Sequence, residues 1–147
     1  MCERFMIRTA NYAILEEFAT PLLTQVPERD LPIDPDYNVN DSSLYKEVFS
    51  KYLRPYLETY IADESRRVIK ENLQYFLTTK RAPFDAILFD WPDSTLPTPD
   101  RGFDYFLWMW ESLFPDEDHR LESTDGWQER YDQQAARELF SARRRSE

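Results

Sequence analysis

Apolar positions along this chain recur at the three- and four-residue spacing of helices rather than the alternation of strands, and prolines divide the pattern into short pieces. The clearest cap is Asp41-Ser42-Ser43. After it, at about 100° per residue, Tyr45, Phe49, Tyr52, Leu53, Tyr56 and Tyr60 fall on one face, with Val48 and Leu57 at its margins. Glu47, Lys51, Arg54 and Glu58 fall opposite, spaced for i,i+3 and i,i+4 ion pairs. Pro55 lies inside the pattern and predicts a kink or break near Arg54. The tyrosine stripe is as wide as a core face needs, and its hydroxyls can reach the rim.

The same reading predicts the other elements. Residues 1–8 read as a loose leader, followed by a short helix capped at Thr9 or Asn11 that carries Tyr12, Ile14, Leu15, Phe18, Ala19 and Leu22. Gln25–Asn40, with Pro27, Pro32 and Pro35, reads as an extended surface loop. A helix from Asp63 to about Arg81 presents Val68, Ile69, Asn72, Leu73 and Phe76 on one side and Arg67, Lys70, Glu71, Gln74 and Thr78 on the other. Pro83 opens a short helix with Phe84, Ile87, Leu88 and Trp91 at its spacing, a buried strand being the competing reading. Pro92–Gly102 is an irregular acidic loop. The densest helix then sets Phe103, Phe106, Leu107, Trp110, Leu113 and Phe114 inward and Asp104, Trp108, Glu111 and Ser112 outward, with Tyr105 adjoining, until Pro115 stops it. A final helix, capped at Thr124 or Asp125, shows Trp127, Tyr131, Ala135 and Leu139 on one side, and residues 141–147 form a frayed basic tail. The expected fold is all-α: a single-domain bundle over residues 1–147, of about five to six short helices joined by Pro-rich loops.

Composition supports this and restricts function. The 147 residues include only two glycines, too few for a hairpin-rich β-protein, and 16% aromatics to fill a core. One cysteine, Cys2, excludes an internal disulfide or a multi-cysteine metal site. No apolar run approaches the ~20 residues of a membrane span, and no signal-peptide apolar region opens the chain, so a cytoplasmic protein is expected. The net charge of −10 is concentrated: residues 82–125 hold eleven acids against Arg101 and Arg120, and the remainder is close to balanced. Such a charge repels nucleic acid and anionic membranes and steers a basic protein inward.

No motif for a reaction accompanies that charge. The run AILFDWPDST is similar to the first motif of haloacid-dehalogenase-like phosphatases, but two residues separate Asp90 from Asp93 where that motif has one, and no parallel-sheet pattern surrounds it. Asp116–His119 lacks the alternation, turn glycine and distal glutamate of a calcium loop. His119 is the only histidine, with no nucleophile motif near it, and no glycine-rich phosphate loop exists. The expectation is a non-enzymatic protein with no catalytic residue, no metal site and no cofactor. It is an inhibitor or immunity-type protein that binds and neutralises a basic protein partner, such as a toxin nuclease. The expected contact surface is Asp90, Asp93, Asp100, Asp104, Tyr105, Trp108, Glu111, Asp116, Glu117 and Asp118, an aromatic anchor ringed by acid. The alternative is a nucleic-acid mimic that blocks a DNA-binding enzyme, which requires carboxylates at phosphate-like intervals along a face.

Overall fold

The structure is a computed structural model, and it describes residues 8–18, 40–89 and 99–142. The expectations for the leader at 1–7, the loop up to 39, the centre of the acidic loop with Asp90 and Asp93, and the tail from 143 lie outside those residues. In chain order the elements are strand β1 (Arg8–Asn11), helix α1 (residues 13–18), α2 (Ser42–Val48), a π-helical turn (Phe49–Leu53), α3 (Arg54–Tyr60) and α4 (Asp63–Thr79). There follow α5 (Phe84–Phe89), α6 (Gly102–Leu113), strand β2 (Trp127–Arg130) and α7 (Gln133–Ser141). Among the described residues the protein is mostly helical with a small two-stranded sheet, so the purely helical expectation is corrected. No helix among the described residues is long and apolar enough to cross a membrane.

Asp41 caps α2 as its spacing predicts: its carboxylate accepts from the Ser43 N–H at 3.0 Å and the Ser43 hydroxyl at 2.7 Å. These hydrogen bonds, the hydroxyl's first, hold the Asp41 carboxyl below its ordinary pKa. Pro55 then does something subtler than a break. Its ring would collide with the carbonyl four residues back, and the helix widens into a π turn in which the Arg54 N–H reaches Phe49 O. The extra residue turns everything downstream by about 100° relative to a straight helix. Leu57 and Ile61 therefore join Tyr45, Val48, Phe49 and Leu53 in the core, and Tyr60 ends 57% exposed. The single tyrosine stripe is corrected accordingly.

α4 runs as predicted, with Ile69, Asn72, Leu73 and Phe76 buried, and Tyr75 and Leu77 with them. Lys80, in the left-handed region at φ 57°, closes it by donating its N–H to Phe76 O at 2.8 Å. After Pro83 the helical reading of α5 holds over Phe84–Phe89. α6 starts against the beginning of α5 so closely that a Cβ on Gly102 would lie 2.5 Å from the Phe84 carbonyl oxygen. Its N–H donates to Asp85 Oδ1 at 2.6 Å, which ties the two helix starts together.

α6 is the centre of the molecule, packed against α2, the π turn, α4 and α5. Tyr105, Phe106, Met109, Trp110, Ser112 and Leu113 are buried, and Glu111 is the only exposed residue of the helix. The outer face assigned to Trp108 is covered by α2, the Trp108 ring lying 5.2 Å from that of Tyr45, and Ser112 is buried as well.

The C-terminal expectation is also corrected. Trp127–Arg130 is a strand, paired in parallel with Arg8–Asn11 in the register Arg8↔Trp127 to Asn11↔Arg130. α7 begins only at Gln133, where Asp132 accepts the Ala135 N–H at 3.0 Å, and it buries Ala136 and Phe140. Likewise Thr9–Asn11 belongs to β1, so Thr9 is not the cap. The Asn11 side chain still serves the helix start by accepting the Ala13 N–H at 3.1 Å.

Candidate functional site

The polar face of α4 carries Lys70, Gln74 and Thr78 at steps of four, which aligns them along one ridge. That ridge is not left to water. The segment between α6 and β2, residues 115–126, runs along it as an acidic strap. The Lys70 ammonium pairs with the Glu117 carboxylate. Gln74 Nε2 donates to Asp118 O at 3.4 Å, and Thr78 Oγ1 donates to His119 O at 3.2 Å. Thr78 Oγ1 also accepts the Leu121 N–H at 3.0 Å. On the α6 side, Trp110 Nε1 donates to Glu117 O at 2.9 Å, and Leu121 packs against the core. Within the strap, Asp118 accepts the Arg120 N–H at 2.9 Å, and Gly126, at φ 81°, makes the left-handed turn into β2.

The strap holds Asp116, Glu117, Asp118, Glu122 and Asp125 against the single cation Arg120, and all five acids are exposed. Next to it, Trp127 stacks on Tyr75 at 4.9 Å and 27°, half-buried, under the Arg8 guanidinium at 5.8 Å. Tyr131, 47% exposed, lies 4.7 Å from the Tyr12 ring and donates its hydroxyl to Glu16 at 2.8 Å. Acid and accessible aromatic surface therefore adjoin at the strap and the strand that follows it.

The residues expected to form the contact surface divide. Asp116, Glu117 and Asp118 come together on the strap. Asp100 is exposed and exchanges two 2.9 Å hydrogen bonds with the Asn40 side chain. Asp104 is held by Arg101 at 3.2 Å, and Glu111 faces Lys46 of α2 at 3.5 Å. Tyr105 is withdrawn from the surface: it is fully buried, and burial, with Tyr45 adding to it, pushes its phenol pKa well up. Trp108 is half-buried against Tyr45, so it is no free anchor. The length of α6, about 18 Å at 1.5 Å per residue, separates Asp104 from the strap, so these are two places and not one.

Glu122 and Asp125 complete the strap and belong to the same acid-rich stretch of sequence. Their membership was legible in composition, but their fixed placement depends on Gln74 and Thr78, for which a polar ridge at steps of four is the only signal. Among the described residues no group of three or more His, Cys, Asp or Glu side chains is placed to hold a metal ion. Comparison of the chain with protein-family models, with curated proteins and with solved structures finds no match.

Proposed function

We propose that this chain is a non-enzymatic inhibitor or immunity-type protein, a single helical-bundle domain acting in the cytoplasm, that captures a basic protein partner such as a toxin nuclease. The observation that supports this reading is the acidic strap, whose backbone is fastened to α4 and α6 while its five carboxylates remain exposed. Charges held in place before the encounter cost little ordering on binding, and a concentrated acidic patch accelerates association with a basic surface. Trp127 and Tyr131 take the anchoring role that the sequence suggested for Trp108, since amphipathic rings near the charge can hold what the charge attracts. A nucleic-acid mimic would need regularly spaced carboxylates along a face, whereas these acids sit on an irregular segment.

The test starts with capture and cross-linking of partners on the immobilised chain, and continues with rate measurements on the partner found. Asp116→Asn, Glu122→Gln and Asp125→Asn together should slow association by about tenfold at low salt and flatten its salt dependence. A captured partner without a basic surface, or association rates equal in the triple variant and the parent, would refute the reading.

A further inference from the structure

Against its overall charge, the protein gathers cations in one groove of about 400 Å³ between α3, α4 and the end of α6. Arg54 comes from α3, and Arg66, Arg67 and Lys70 from one side of α4. Leu57, Leu113 and Phe114 supply its apolar lining. The volume lies in the range of small-molecule sites, and the lining is more charged than apolar.

The cations are positioned by carboxylates that do not exhaust them. Arg54 uses Nε toward Glu58 at 3.0 Å, and Arg66 uses one Nη toward Asp63 at 3.4 Å. Arg67 spans Glu64 at 3.8 Å and Glu71 at 3.0 Å, and Lys70 pairs with Glu117. A guanidinium has five N–H donors in a fixed fork, so Arg54 and Arg66 each keep most of theirs for another acceptor. Of the charged side chains lining the groove, four are cations and three, Glu58, Asp63 and Glu117, are anions. The Lys70 ammonium also lies 5.0 Å from the centre of the Phe114 ring, which brings a positive charge and a flat apolar surface together.

We propose that this groove binds a phosphate monoester whose body is flat and apolar, the phosphate meeting Arg54, Arg66 and Lys70 and the body lying on Leu57, Leu113 and Phe114. Arginine forks match phosphate oxygens geometrically, and a dianion gains more from several cations lining one groove than a monoanion does. This site is separate in chemistry from the acidic strap, sharing only Glu117 with it.

The test is a titration of the full chain with phenyl phosphate, inorganic phosphate and phenol, followed by NMR chemical shifts and calorimetry at low salt. Phenyl phosphate should bind saturably and each of its two parts about tenfold more weakly or worse. Arg66→Gln and, independently, Arg54→Gln should each weaken phenyl phosphate by about tenfold, while Lys80→Gln, outside the groove, leaves it unchanged. The strap triple variant should bind phenyl phosphate as the parent does, which keeps this proposal separable from the partner-binding one. Absence of saturable binding overturns the proposal. So does phenol or phosphate alone binding as tightly as the ester, or Lys80→Gln losing as much as the groove variants in chains with the parent's spectrum.

Discussion

Tyr105 shows how much one misplaced residue on a helical wheel matters. It adjoins the polar side in projection, yet it sits between α2 and α6 at 0% exposure, with its ring 5.9 Å from Tyr45 and 5.1 Å from Phe49. Its hydroxyl has no hydrogen-bond partner, and a buried polar group left unpaired costs about 1–3 kcal/mol. Tyr105→Phe keeps the ring and removes the hydroxyl, so it should stabilise the protein by about 1 kcal/mol, seen as a higher urea midpoint with an unchanged slope. A pH dependence follows as well. The folded phenol titrates above its ordinary 10.0 because burial disfavours the phenolate. The unfolded chain therefore releases its proton first, and stability that is intact below pH 10 is lost as pH rises beyond it. The Phe variant should lose less over that alkaline range than the parent. A destabilised Tyr105→Phe would mean that the hydroxyl is satisfied after all.

At the scale of elements, α4 and α6 are readable because their apolar spacing persists for three or more turns, and α5 because Pro83 marks the start of its shorter run. Two things are not. The π turn inserts one residue where Pro55 obstructs the ladder, and wheel arithmetic assumes no insertion, so the correct helix acquired a wrong lower face at Tyr60. Trp127–Arg130 is a four-residue strand whose partner begins 119 positions earlier, at Arg8. So short a run has no detectable period, and with only Trp127 even half-buried it carries no alternation either. The sequence pattern therefore carries the helix back to Thr124 or Asp125, whereas its cap is Asp132. The acidic strap was visible as composition, but its order was not, because backbone acceptors on Asp118 and His119 leave no trace in sequence. The cap can be tested directly. Asp132→Ala should cost about 1 kcal/mol and increase amide exchange in the first turn of α7, whereas Asp132→Asn, which can still accept the Ala135 N–H, should cost a few tenths. The Arg130 contact at 3.1 Å is largely exposed and adds little. Equal losses in the two variants would shift the weight from the cap to that ion pair.

Across the whole molecule, the segments furthest apart in sequence are joined at one buried amide. Asn11 donates its backbone N–H to Asn72 Oδ1 at 2.7 Å, bridging β1 to the middle of α4. Its side chain donates Nδ2 to Asp132 O at 2.7 Å and accepts the Asp132 N–H at 2.9 Å, while also holding Ala13 N–H. Asn72 in turn donates to Val68 O at 2.8 Å, so the amide is satisfied on both sides and shielded by the core. An apolar wheel face has no reason to keep Asn72, and its presence there is the clue that α4 is tied to another backbone. These contacts close a loop of 121 residues and so join the two ends of the described chain. Asn11→Ala strands the Ala13 and Asp132 N–H groups and the Asp132 carbonyl, and should cost about 3 kcal/mol. Thr9→Ala, two residues away on the exposed end of the same strand, should cost under about 0.5 kcal/mol. Tryptophan fluorescence and far-ultraviolet circular dichroism should report the same shifted midpoint in Asn11→Ala, since the junction serves every element. If the two probes separate, with β1, β2 and α7 melting before α4 and α6, the strand pair is an attachment to an independently stable helical core.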